Sequence, residues 1–202
     1  MKKILVMMVA TFMVTLSVKA QSQDEYYKHE IAVTYGGMSN SNWMSIGDAL
    51  GTVLVTGGYF SYDDGSFVGP ISAEYFYHIS PLIGLGAMGV YAKETKDMTM
   101  GGKVYGEAKS TYVSVMPGAK FNWLRKKNFG LYSKVGIGPC FRTRSEKYST
   151  DSKSADDSSS DVCFNFQVSA LGIEAGANNF WGFIELGLGE QGMGLAGLRV
   201  KF

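Results

Sequence analysis

The sequence predicts an all-β fold: an eight-stranded antiparallel up-and-down transmembrane β-barrel with a short helix in the first external loop. Three observations predict it. Apolar and polar residues alternate with a period of two along eight runs. Several runs exceed the ordinary ~5–6-residue strand and reach the ~9–11 residues that a tilted strand needs to cross a bilayer. Short turns alternate with longer polar connections, so short links gather at one end of the barrel and long ones at the other. Composition narrows the field further. With 46% hydrophobic residues the chain can bury a core, which excludes disorder. No apolar stretch of helix-spanning length follows the leader, which excludes a helical membrane protein. A net charge of +1 gives no electrostatic case for nucleic acid, and two cysteines are too few for a disulfide scaffold or a Cys-based zinc site.

Residues 1–20 read as an export signal. Lys2 and Lys3 form the positive start, Ile4 to Leu16 the apolar run, and Val18-Lys19-Ala20 a small-residue cleavage site. Cleavage is expected after Ala20, leaving 21–27 as a short periplasmic segment and 28–202 as the barrel domain. No Cys lies near position 21 to accept a lipid anchor.

The first run, 28–37, sets Ile31, Val33 and Tyr35 against Glu30, Ala32 and Thr34. Within the connection 38–65, Trp43, Ile46, Leu50, Val53 and Leu54 recur at helical spacing, which predicts a short amphipathic helix at the barrel mouth. The fragment Val53-Leu54-Val55 also fits a strand. The second run, 66–79, sets Ile71, Ala73, Tyr75 and Tyr77 against Ser72, Glu74 and His78, and ends in the turn Ile79-Ser80-Pro81. The third, 82–95, is blurred by Leu82, Ile83 and Met88, and a polar connection 96–103 follows. In the fourth, 104–123, Val113, Val115, Ala119 and Phe121 oppose Ser114, Gly118, Lys120 and Asn122. A turn over Leu124 to Asn128 leads to the fifth, 129–145, where Leu131, Val135, Ile137 and Phe141 oppose Tyr132, Lys134, Arg142 and Arg144. A Ser/Asp-rich connection, 146–159, precedes the sixth run, 160–176, which Leu171 and Ile173 blur. After the turn Ala177-Asn178-Asn179 the seventh, 180–190, sets Ile184, Leu186 and Leu188 against Glu185, Gly187 and Gly189. The link at Glu190-Gln191-Gly192 is short where a long one is due. The eighth, 193–202, alternates Leu198, Val200 and Phe202 with Gly197, Arg199 and Lys201.

Alternation alone does not say which face is inside. A soluble lipocalin-like barrel would turn the apolar set inward. Long runs, long loops at one end and aromatics near strand ends favour the inverse, with lipid outside. A Lys or Arg facing lipid at the midplane costs ~2–4 kcal/mol, so Glu30, Glu74, Lys120, Lys134, Glu185, Arg199 and Lys201 are expected in the lumen. There they must pair, because an isolated buried charge costs several kcal/mol. Eight strands leave an interior that side chains can just fill, and Gly84, Gly86, Gly136, Gly138, Gly187 and Gly189 relieve the crowding.

These residues carry a family resemblance. The signal peptide, the eight runs from about His29 to Phe202 and the ending Gly197-Leu198-Arg199-Val200-Lys201-Phe202 resemble the small outer-membrane β-barrel proteins of Gram-negative bacteria, the OmpA/OmpX-like group. The resemblance implies an outer-membrane location. It also implies that Leu198, Val200 and Phe202 form the C-terminal signal read by the barrel-assembly machinery. Members of the group differ in function, so the fold does not settle the activity.

Cys140 and Cys163 flank the third long connection on one hairpin, and a cross-strand disulfide between them is expected, with two free thiols as the alternative. His29 and His78 sit at the expected periplasmic end, the wrong side for a lipid-modifying enzyme acting on the outer leaflet. Asp156, Asp157 and Asp161 lack the spacing and Gly of a calcium loop, and the paired glycines at 36–37, 57–58 and 101–102 match no phosphate loop. No cofactor, metal or catalytic residue is expected. The expected partners are outer-membrane lipid, the assembly machinery and an extracellular ligand of unspecified kind, with no nucleic acid. The expected function is non-catalytic, with a filled lumen and external loops serving surface interaction or envelope structure. The alternatives are a narrow channel or small-ligand barrel, a membrane enzyme, and a secreted carrier.

Overall fold

The computed structural model describes residues 27–41, 60–100, 103–148 and 156–202. Eight strands follow in chain order: β1 (His29–Gly37), β2 (Phe60–His78), β3 (Ile83–Met100), β4 (Lys103–Arg125), β5 (Phe129–Tyr148), β6 (Asp156–Ala177), β7 (Phe180–Gly189) and β8 (Gly194–Lys201). Each pairs antiparallel with the next, and β8 returns to β1, so the sheet is a closed barrel with no crossover. The seam is held at its foot by His29 N–H to Phe202 O (2.8 Å) and Phe202 N–H to His29 O (2.9 Å).

The period-2 pattern decides the faces. Ile31, Val33, Val115, Ile137, Ile184, Leu186 and Leu198 point outward, and Leu198 is 74% exposed. Their neighbours Glu30, Ala32, Ser114, Glu185 and Arg199 are buried inside. Near the short-turn end, outward Tyr75, Tyr77, Phe121, Phe129, Phe180 and Phe202 ring the wall. Tyr35, Tyr91, Phe141 and Phe164 lie nearer the other end. Such paired aromatic rings mark the two edges of a lipid-facing band.

Two runs that look irregular in sequence have separate causes. Along β3, Met88, Val90 and Ala92 are apolar yet buried inside, where Met88 and Val90 pack with Phe76 and Met116. Along β6, a bulge shifts the register between Ser169 and Leu171 against β7, with a matching shift between Tyr132 and Lys134 against β5. Inward positions are Asn165, Gln167 and Ser169 before the bulge and Gly172 and Glu174 after it. A bulge leaves a ladder group unpaired. Here Ser133 Oγ donates to Ala170 O (2.5 Å) and accepts from Trp123 Nε1 (2.7 Å). The β4–β5 ladder also skips the stretch between Ser114↔Cys140 and Gly118↔Gly136, where Pro117 and Pro139 have no N–H to give.

The connections differ most from expectation. The segments 96–103 and 146–159, expected as loops, are strand at their described residues: β3 runs to Met100, β4 starts at Lys103, β5 runs to Tyr148 and β6 starts at Asp156. Asp156, Asp157 and Asp161 therefore belong to a strand, with Asp161 opposite Arg142. β2 likewise begins at Phe60, before the expected 66. Polar residues on both faces look like loop in a sequence, although hydrogen bonding holds them as hairpin. The helix expected on Trp43, Ile46, Leu50, Val53 and Leu54 lies outside the described residues.

Candidate functional site

Every expected lumenal charge is buried on the inner wall. Lys134 Nζ sits between Glu74 Oε1 (2.5 Å) and Glu185 Oε2 (2.9 Å). Lys120 Nζ reaches both Glu30 oxygens at 2.9 Å and Glu174 Oε2 at 3.5 Å. Arg199 donates to Glu174, lies 3.6 Å from Glu30 and 3.8 Å from Glu74, and stacks over Phe183 at 4.1 Å. Lys201 pairs with Glu174 and covers the Trp181 ring at 4.0 Å. His78 Nε2 lies 3.1 Å from Glu30. Tyr132 threads this cluster: its hydroxyl donates to Glu185 Oε1 (2.6 Å) and accepts from Arg199 Nη2 (3.2 Å), while Lys120 rests on its ring face at 4.0 Å. Glu30, Glu74, Glu174 and Glu185 thus face Lys120, Lys134, Arg199 and Lys201 in one connected network. Pairing inside a low-dielectric wall is what makes such charges tolerable.

Glu174 and Tyr132 are the members that sequence reasoning missed as network residues. Glu174 lies beyond the β6 bulge, so counting parity from Cys163 places it on the lipid face. A Glu on an otherwise greasy face is the signal that could have exposed the slip. Gly172 opposite Tyr132 is the second missed clue, since a Cβ there would strike the Tyr132 ring.

Toward the other end lies a second layer of polar contacts inside the wall. The β7–β8 link is short because it folds inward. Gln191 Nε2 donates to Ser72 Oγ (2.9 Å) and Glu74 Oε1 (2.6 Å), and its N–H donates to Gln167 Oε1 (2.8 Å). Gly192, at φ 109°, makes the reversal that returns the chain to β8. Beside it, Glu190 accepts from Ser41 N–H (3.1 Å), Ser41 Oγ (2.5 Å) and Ser114 Oγ (3.3 Å). Burial pushes the carboxyl of Glu190 upward, against the lowering effect of those hydrogen bonds.

The register sets Cys140 directly opposite Cys163. Both are free thiols in this structure, and Cys163 Sγ points to the Cys140 carbonyl at 3.4 Å, so the expected disulfide is not formed here. His29 lies on the outer wall, stacked on Phe202 at 5.4 Å and bonded to Tyr75 OH at 2.9 Å. No group of His, Cys, Asp and Glu suited to a metal ion occurs among the described residues.

Residues 8–187 match the family model of the outer membrane protein beta-barrel domain. The chain belongs to this family. It is an outer-membrane β-barrel protein. No curated protein matches it. Among solved structures it is similar to Ail, the attachment invasion locus protein of Yersinia pestis, at 12% identity and a TM-score of 0.43 over 88% of this chain and 100% of that one. On this outer-membrane barrel Leu198 and Phe202 lie on the lipid face, and Val200 of the same strand is half-buried beside them.

Proposed function

We propose that this outer-membrane barrel is a non-catalytic surface-interaction protein, anchored by its wall and closed through its lumen. One observation carries the reading: five strands outrun the other three. β2 pairs with β1 no further than Ile71, and β6 pairs with β7 no further than Gln167, while both strands continue well past those points. Residues 60–69 of β2 and 156–164 of β6 therefore form the two margins of a projecting sheet whose outer sides have no strand partner among the described residues. Polar groups occupy both faces of that sheet. Lys93, Lys109 and Lys147 share one face, and Glu94, Ser110 and Arg144 the other. Such a surface suits water rather than lipid. An unpaired edge is a ready template for a strand of another protein.

In this reading the short-turn end, with His29 and Phe202, faces the periplasm, and the extension faces outward. Residues 1–20 act as a cleaved signal, 21–27 form a periplasmic lead-in, and Leu198, Val200 and Phe202 serve the assembly machinery. The His placements support a non-catalytic role: His78 is sealed against Glu30, and His29 is stacked on the outer wall at the opposite end from the extension. The test is site-specific photo-crosslinking in intact cells. A benzophenone side chain at Ser160, on the β6 margin, is expected to capture extracellular protein, and one at lipid-facing Ile184 is not. Identical products at the two positions would overturn the reading.

A further inference from the structure

Charge is distributed unevenly between the two ends of the barrel. Cations of the lumen meet carboxylates, and on the extension Lys96 pairs with Glu94 (3.1 Å), Lys109 with Glu107 (3.0 Å) and Arg144 with Glu146 (2.8 Å). At the short-turn end the pattern breaks. Lys126 and Lys127, on the β4–β5 turn, are exposed and have no ion-pair partner among the described residues. Arg125 beside them donates to Pro81 O at 3.1 Å. Among the described residues the side-chain carboxylates nearest this end, Glu30 and Glu174, are buried and already bound to Lys120, Arg199 and Lys201.

A cavity of about 450 Å³ opens between this turn and the β6–β7 turn. Arg125, Lys126 and Lys127 line it beside Lys201 and Trp181, and the Glu174 carboxylate, bound to Lys201 and Arg199, lies at its inner wall. Lys201 is only 6% exposed, held between Glu174 and the Trp181 ring, so it is a fixed charge rather than a waving one. Phe129, a member of the lower aromatic ring, brings the cavity's edge to the lipid-facing wall. Aromatic rings of this kind sit at head-group depth. The volume falls within the usual ~300–1,000 Å³ of small-molecule sites.

We propose that this cavity holds the phosphate head group of an anionic phospholipid from the periplasmic leaflet. The cations supply the charge match, Trp181 and Phe129 the apolar walls for the glycerol end, and the neighbouring outer surface a place for the acyl chains. The assignment rests on the membrane orientation given above, but its test does not. A basic rim near an anionic surface gains about fivefold in binding per Lys.

The experiment is native mass spectrometry of the full barrel released from nanodiscs holding equal phosphatidylglycerol and phosphatidylcholine. The expected result is a retained phosphatidylglycerol in preference to phosphatidylcholine. The preference should fall about twenty-five-fold in Lys126→Gln/Lys127→Gln. It should survive in Lys126→Arg/Lys127→Arg and in excess inorganic phosphate. Ala177→Trp, which fills the cavity while leaving the rim charges in place, should also abolish it. Heat-modified gel migration verifies that each variant is folded. Equal retention of the two lipids by the wild type, displacement by inorganic phosphate alone, or an undiminished preference in folded Ala177→Trp would each overturn the proposal.

Discussion

Lys134 can hold its charge only because Glu74 and Glu185 flank it. Replacing it with Met keeps the stem and takes the nearest cation from two buried carboxylates. Breaking one side of a buried pair costs ~3–5 kcal/mol. Urea unfolding of Lys134→Met in detergent micelles should show a loss of that order, and an unchanged midpoint would contradict the network. The lipid face makes the opposite demand. Leu198, 74% exposed near the middle of β8, should tolerate Val but lose ~2–4 kcal/mol as Leu198→Arg when refolded into vesicles. Glu190 gives a signed pH effect. Its carboxyl is raised in the folded barrel, so folding holds a proton that the unfolded chain releases first. Its contribution to stability therefore falls as pH rises from the ordinary carboxylate range through the raised one. Glu190→Gln should remove that decline in a pH series of unfolding midpoints.

At the scale of an element, the β6 bulge ties a local irregularity to the lipid face. Ser133 satisfies the Ala170 carbonyl and the Trp123 indole together. Ser133→Ala leaves both unmatched, and an unsatisfied polar group costs ~1–3 kcal/mol. Differential unfolding of this variant against wild type measures it. Strand crowding is testable on β5 and β8. A Cβ at Gly138 would overlap the Val115 carbonyl, which is backbone and cannot yield, whereas Gly194 has nothing within 4 Å of such a Cβ. Gly138→Ala should cost ~1–3 kcal/mol and Gly194→Ala almost nothing. The same elements explain what could be read in advance. β1, β2, β4, β5, β7 and β8 each keep one parity through the membrane band, so Glu30, Glu74, Lys120, Lys134, Glu185, Arg199 and Lys201 were legible as a set. β3 was obscured because its inner face is greasy at Met88 and Val90, and β6 because one inserted residue swaps its faces. The hairpin extensions were illegible for another reason: with water on both sides, no alternation distinguishes strand from loop.

For the whole molecule, the ion network and the infolded Gln191 layer lie one above the other inside the wall, and the proposed function has them close the bore. Single-channel recordings in planar bilayers should therefore show no conductance steps for the wild type, and regular steps would favour a channel instead. That both termini lie at the short-turn end was deducible from an even strand count. That the Glu190–Gly192 link would dive into the bore was not, since a short polar turn reads the same whether it points out or in. The circular pairing also has a kinetic consequence. Because β1 waits for β8, its partner from the far end of the described chain, every intermediate made from β1 to β7 alone is an open ribbon with two sticky margins. Folding must end, rather than begin, with the zipping of that seam, and a chain that has lost β8 should be a substrate for proteases and aggregation rather than a smaller ring.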